Sequence, residues 1–143
     1  MRKRMFHSWW LLLLFMWVLA GCNADQRQGF LFKGEGDNWQ TEIYTGQTTE
    51  SPEKGKDPYM HVKFKGSHPK EVKELMYEAE AEEGAFSAGD IVLDEQGEES
   101  LSAEGIKQIG ASAADQLTVT ISWVEQGKEQ QEVIVLEKQA APN

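Results

Sequence analysis

The chain contains a single cysteine, Cys22, among its 143 residues. A lone cysteine cannot form an internal disulfide, so this thiol calls for another role. Cations are also scarce, because 14 Lys and Arg face 24 Asp and Glu and leave a formal charge of −10 at pH 7. A protein this acidic repels the phosphates of nucleic acids and of anionic lipids. The composition therefore argues against direct binding to either.

Recognisable metal-binding and catalytic motifs are lacking as well. After residue 21 the only histidines are His61 and His68, and neither has a cysteine partner at the spacing of a zinc site. Residues 94–99 lack the spacing of an EF-hand loop. The serines occur in no Gly-x-Ser-x-Gly context, and the carboxylates are too numerous for any one pair to stand out. We therefore expect a protein that is not an enzyme and that needs no cofactor or metal ion.

The first 22 residues have the pattern of a lipoprotein signal peptide. A basic start, Met1-Arg2-Lys3-Arg4, precedes an apolar run over residues 9–20 that is shorter than the about 20 residues of a membrane-spanning helix. Leu19-Ala20-Gly21-Cys22 follows and matches a bacterial lipobox. We expect cleavage between Gly21 and Cys22 and a diacylglyceryl group on the Cys22 thiol. An uncleaved membrane anchor or a buried helix is the alternative for this segment.

These features predict a simple organisation. Residues 1–21 form the signal peptide, 22–29 a short lipidated tether, 30–139 one domain and 140–143 a tail. The domain is long enough for a single hydrophobic core and too short for two. We expect it to be held at the extracytoplasmic face of the cell membrane by the lipid on Cys22.

Apolar and polar residues alternate along much of the domain, which is typical of strands with one buried face. Glu125-Gln126-Gly127-Lys128 indicates a hairpin connection in which the glycine allows positive φ, whereas residues 83–89 are interpreted as a hairpin loop. The run over residues 133–136 is continuously apolar and predicts a strand that is apolar on both faces. Residues 72–81 also fit a helical spacing, although we favour a strand. The predicted strands lie near residues 30–34, 39–45, 59–66, 72–81, 89–94, 117–125 and 131–138.

Seven short strands favour an antiparallel β-sandwich with Trp39 and Trp123 in its core. Three segments also resemble small, mostly uncharacterised lipoproteins of Gram-positive spore-forming bacteria. They are Gly34-Glu35-Gly36-Asp37-Asn38-Trp39, the hairpin from Phe86-Ser87-Ala88-Gly89 to Leu93-Asp94-Glu95-Gln96-Gly97, and Val119-Thr120-Ile121-Ser122-Trp123. The resemblance covers nearly the whole chain after the signal and implies an immunoglobulin-like sandwich outside a cell membrane. The resemblance implies no catalytic residue. This sequence departs from the family's pattern at Val124-Glu125-Gln126-Gly127, which places extra residues between Trp123 and the turn glycine.

Negative charge is distributed unevenly. Residues 74–104 contain eleven Asp and Glu but no Lys or Arg. Such a run is either a solvated face or a docking surface for a cationic partner, such as a basic protein segment or Ca²⁺. If residues 72–81 form a strand, Glu78 and Glu80 point outward in a row. We expect Glu98 and Glu99 of the following hairpin to lie nearby and to complete a possible binding face.

The sequence therefore predicts a lipid-anchored lipoprotein that presents a non-catalytic binding surface. One alternative is an inhibitor or immunity-type lipoprotein that acts on a cationic enzyme. Another is a solute-capturing accessory lipoprotein of a transporter, which needs a cleft of about 300–1,000 Å³. A deep apolar pocket would favour solute capture, and a clustered acidic face would favour the inhibitor. The sequence identifies neither the partner nor the oligomeric state.

Overall fold

The computed structural model describes residues 29–46 and 57–140. The predicted signal peptide with Gly21, the predicted lipid site Cys22 and almost all of the tether lie outside these residues, as does most of the tail. Within the described ranges the chain forms strands and two short 3₁₀ helices, Pro69–Glu71 and Glu104–Lys107. No helix in these ranges is long and apolar enough to cross a membrane. The strands are β1 (Leu31–Glu35), β2 (Trp39–Tyr44), β3 (Tyr59–Phe64), β4 (Val72–Ala81), β5 (Gly84–Ile91), β6 (Glu98–Ser102), β7 (Gln116–Glu125) and β8 (Lys128–Lys138).

All eight strands belong to one sheet, in the order β5-β4-β7-β8-β1-β2-β3-β6. Every neighbouring pair is antiparallel. The sheet is nearly closed and barrel-like, with β5 and β6 as its two edges. The all-β prediction is confirmed, but the immunoglobulin-like sandwich is not, because the strands follow one continuous hydrogen-bonded order.

Alternate residues of each strand fill a single interior. On β7, for example, Leu117, Val119, Ile121 and Trp123 are buried, while the threonines and the serine between them are only partly covered. The expected burial of both core tryptophans is confirmed, since Trp39 is fully buried and Trp123 is 4% exposed. The connection from β6 to β7 adds further buried apolar side chains to the same core, namely Ala103, Ile106, Ile109 and Ala111.

The hairpin between β7 and β8 forms where the sequence places it. Gln126 and Gly127 both have positive φ, 52° and 72°, as a two-residue type I′ turn requires. The register is unbroken from the pair Glu125 and Lys128 at the turn to Gln116 and Glu137 at the far end. The extra residues after Trp123 therefore lengthen β7 without shifting its pairing.

Residues 133–136 lie in β8 and are apolar on both faces, as predicted, but only one face is buried. Ile134 and Leu136 are buried, but Val133 and Val135 are 60% and 51% exposed. A single-layer sheet leaves its outer face to the solvent, and β-branched valines remain favourable there because they suit a pleated backbone.

Two corrections concern the predicted strands of the acidic run, residues 74–104. Residues 72–81 form a strand as favoured, but the predicted loop over residues 83–89 is wrong, because β5 occupies Gly84–Ile91. The strand β6 was missed. Both are edge strands, and β5 is built from small residues while β6 is mainly polar. Neither one therefore carries the run of large alternating apolar residues by which strands are recognised.

Candidate binding surface

The first two residues of the predicted binding face lie together on β4. Glu78 and Glu80 are exposed on its outer face, whereas Leu75, Tyr77 and Ala79 are buried on the other. The alternation of the strand produces this arrangement, as expected from the sequence. Two carboxylates thus point into solvent from one face of the same strand.

The other two predicted residues lie on a different part of the sheet. Glu98 and Glu99 belong to β6, which pairs with β3 and not with β4 or β5. The Glu98 carboxylate already has cationic neighbours, because Lys63 Nζ lies 2.5 Å from Oε1 and His61 Nε2 lies 3.7 Å from Oε2. Glu99 Oε1 accepts a hydrogen bond from the backbone N–H of Ser100, at 3.1 Å. Strand pairing therefore does not join Glu98 and Glu99 to Glu78 and Glu80.

An open depression of about 740 Å³ lies beside Glu80 instead. Strand pairing builds its floor, since Glu80 pairs with Thr118 of β7, and Gln116 of β7 pairs with Glu137 of β8. The chain just before β7 supplies the remaining side. The lining residues are Glu80, Ala81, Glu82, Ala113, Ala114, Asp115, Gln116, Thr118, Glu137 and Lys138.

Four carboxylates line this depression, and Glu78 is the next outward residue along β4. We call these five the acidic surface: Glu78, Glu80, Glu82, Asp115 and Glu137. The sequence did not indicate the last two, because Asp115 and Glu137 lie 11 and 33 residues beyond the end of the acidic run. Only the pairing of β4 with β7 and of β7 with β8 brings them next to it.

Two lysines lie beside the acidic surface without forming an ion pair with it: Lys33, the register partner of Glu137, and Lys138. In the ranges that the structure describes, no Lys, Arg or His nitrogen lies within 4.0 Å of any of its five carboxylates. Lys138 is the one cation lining the depression. Its ammonium lies over the Phe30 ring, 4.3 Å from the centroid, and donates to the Ser112 carbonyl at 3.3 Å.

Three carboxylates elsewhere on the sheet, Glu35, Glu42 and Glu98, are paired with lysines. Glu42 of β2 lies 2.8 Å from Lys33, and Glu35 of β1 lies 2.5 Å from Lys65. Ion pairs therefore form among β1, β2, β3 and β6, and none of the described ones includes a carboxylate of the acidic surface. A cluster of uncompensated charges of one sign raises the local potential and attracts ions of the other sign.

The paired side also contains a carboxylate with a changed pKa, Glu42. Burial alone would raise the pKa of Glu42, but hydrogen bonds from Lys33 and Tyr59, together with the charges of Lys33 and His61, lower it overall. The Tyr59 hydroxyl donates to Glu42 Oε1 at 2.6 Å. Burial and this neighbouring carboxylate raise the pKa of Tyr59 to about 12. These groups connect β1, β2 and β3, and Lys33 is also the register partner of Glu137 on β8.

Further tests of the surface define its chemistry. In the part of the chain that the structure describes, no three His, Cys, Asp or Glu side chains are arranged to hold a metal ion. The acidic surface is thus a set of spaced, solvent-facing carboxylates around an open depression.

Comparison with protein-family models, with curated proteins and with solved structures finds no match to this chain.

Proposed function

We propose that this protein is a lipid-anchored lipoprotein that presents its acidic surface to a cationic partner outside the cell membrane. The observation that carries the proposal is the difference in ion pairing: lysines pair with Glu35, Glu42 and Glu98, whereas among the described residues no carboxylate of the acidic surface has a cationic nitrogen within 4.0 Å. The lipobox ending at Cys22 supports the anchor. No catalytic role is part of the proposal.

The chemistry of such a surface is electrostatic. Neighbouring carboxylates repel one another, so the unbound protein carries a cost that a basic partner relieves. Attraction between extended surfaces of opposite charge speeds association and falls as salt increases. The partner is therefore expected to carry several lysines or arginines rather than one.

The position of the acidic surface fits a membrane anchor. Phe30, just before β1, lies under the ammonium of Lys138, which lines the depression. Phe30 is only eight positions after Cys22, a distance of at most about 28 Å when the chain is fully extended. A lipid on Cys22 would therefore keep the acidic surface near the bilayer, where membrane-associated partners are accessible.

An inhibitor or immunity-type role is the second candidate, because it too requires a clustered acidic face. A cationic enzyme whose basic substrate-binding groove docks on the acidic surface would be blocked. Solute capture is less well supported. The depression has the volume of a ligand site, but it is open and edged by carboxylates rather than deep and apolar.

Two measurements on intact cells test the proposal separately. For the anchor, Cys22→Ser should abolish incorporation of labelled fatty acid and release the protein from the membrane fraction. For the surface, a photo-crosslinking residue at position 82 should capture a basic protein, while the same residue at Glu129, an exposed position on β8, should not. Unchanged membrane retention of Cys22→Ser would overturn the anchor. Equal crosslinking from both positions would overturn the role of the acidic surface.

A further inference from the structure

We propose that the open edge of β5 binds an extended, lysine-bearing segment of the partner by strand addition. This inference rests on the proposed function and adds to it the mode of binding and the pattern of the bound segment. β5 is the terminal strand of the sheet and pairs only with β4. Among the described residues, no other backbone hydrogen bond reaches Gly84–Ile91. Its second edge therefore has free donors and acceptors, the requirement for adding a strand.

The two edges of the sheet differ in how they are protected. β6 is five residues long, and Glu98 and Glu99 occupy its first two positions. Short length and charge are the usual means of preventing an edge from pairing with other chains. β5 is eight residues long, with no proline or lysine, and its only charge is Asp90 near its end. A β-bulge interrupts the end of β5, where Asp90 has a φ of 55°, so the regular and less protected edge runs from Gly84 to Ala88.

The outer face of β5 gives a partner access to the acidic surface. Ser87 and Ala85 are the register partners of Glu78 and Glu80, and both are exposed. A strand added to β5 would lie two inter-strand spacings from β4, about 10 Å. Because Ser87 and Ala85 are small, lysines on the outer face of the added strand could reach towards the two glutamates. The turn residues Glu82 and Glu83, both exposed, extend the negative charge along the hairpin.

The inner face of β5 favours apolar residues at the alternate positions of the added strand. Phe86 packs edge-on against Tyr77, with ring centroids 5.6 Å apart, yet Phe86 stays partly exposed, as does Ala88. An apolar side chain beside them would extend the covered interior. The segment that fits therefore alternates basic and apolar residues, and a strand directs these to opposite faces.

A second copy of this chain fits the edge poorly. Antiparallel pairing of two β5 strands would set the Glu82 and Glu83 turn of one copy near Asp90 of the other. The outward Glu78 and Glu80 of both copies would share one face. Each chain also carries a formal charge of −10. A basic segment removes this repulsion, whereas self-association increases it.

The test uses the folded domain with an eight-residue alternating Lys-Val peptide as the probe, at low salt. A matched control peptide has the same sequence with alternate backbone amides N-methylated, which keeps its charge but blocks strand pairing on one edge. The proposal predicts slower hydrogen–deuterium exchange within Gly84–Ile91 on adding the first peptide. It also predicts binding at least about tenfold weaker for the N-methylated peptide, with no such protection.

Each other outcome overturns a definite part of the account. Equal affinity for the two peptides, without protection of β5, would overturn strand addition and leave the acidic surface as a purely electrostatic site. Protection at Glu98–Ser102 instead would place the docking edge at β6. If neither peptide binds, the proposed function fails together with this inference. If the domain without any peptide had twice the expected mass in solution and slow hydrogen–deuterium exchange in β5, the occupant of the edge would be a second copy of the chain.

Discussion

Trp39 of β2 and Trp123 of β7 meet edge to face in the interior, with ring centroids 5.5 Å apart and an interplanar angle of 74°. Their strands are not neighbours, because β8 and β1 lie between them in the sheet. The contact therefore crosses the interior and ties two distant parts of the sheet together. Phe64 of β3 extends the cluster, since its ring lies 5.0 Å from that of Trp39.

The aromatic contact predicts a large effect of truncation. Trp123→Ala should lower the free energy of unfolding by about 3–5 kcal/mol, because it removes a buried ring and leaves a cavity. Trp123→Phe should cost clearly less, since it keeps an aromatic ring and removes an indole N–H that has no partner among the described residues. Urea unfolding measures both. Val92→Ala, at a side chain that is 78% exposed, is the control and should change little. Equal losses for Trp123→Ala and Val92→Ala would contradict this packing.

The parts of the fold that the sequence predicts are those with large alternating side chains. β7 is the clearest example, because Leu117, Val119, Ile121 and Trp123 supply a period of two that no helix shares. The edge strands β5 and β6 lack this signal, since small or polar residues suffice where one side of a strand pairs with nothing. Local sequence also cannot specify which strands become neighbours. The sequence therefore indicated Glu78 and Glu80 but not Asp115 and Glu137.

A second prediction concerns the turn between β1 and β2. The Glu132 carboxylate accepts hydrogen bonds from the backbone N–H of Asn38, at 2.9 Å, and from its side-chain amide, at 2.8 Å. A Cβ on Gly36 would collide with Glu132 Oε1. Gly36→Ala should therefore displace Glu132 and destabilise the domain by about 1–2 kcal/mol, through the loss of charge-assisted hydrogen bonds.

A double-mutant cycle checks this explanation by thermal unfolding. In a Glu132→Ala background Gly36→Ala should cost less than in the wild type, because the carboxylate that it displaces is already gone. The same cost in both backgrounds would mean that Gly36 acts through something other than Glu132.

A third prediction concerns pH. The lowered pKa of Glu42 means that its ionised form contributes stability above the ordinary glutamate value near 4.3. This contribution is lost as the pH falls through the lower pKa of the folded state. The destabilising effect of Glu42→Gln should therefore be full at neutral pH and should fade under acid conditions. Thermal unfolding across that range measures it, and a difference that is independent of pH would contradict the assignment.

The tyrosine beside Glu42 provides a spectroscopic check. Glu42→Gln should lower the pKa of Tyr59 from about 12 towards its ordinary value, because the neighbouring negative charge is removed. The pKa of Tyr77, also about 12, is raised by burial alone and should not change. Ultraviolet titration of the phenols separates the two when repeated with Tyr59→Phe. A shift in both tyrosines would indicate a general loosening of the fold.

The most direct test of the central claim is calorimetric binding of a lysine-rich peptide to three forms of the domain at about 50 and 200 mM salt. The wild type should bind more weakly at the higher salt, and Glu80→Gln/Glu82→Gln should reduce the affinity by about tenfold at the lower. Glu98→Gln is the matched control, because Lys63 already pairs with that carboxylate. The account predicts that this control binds as the wild type does. An equal loss in the control and in the double variant, or binding that is indifferent to salt, would contradict it.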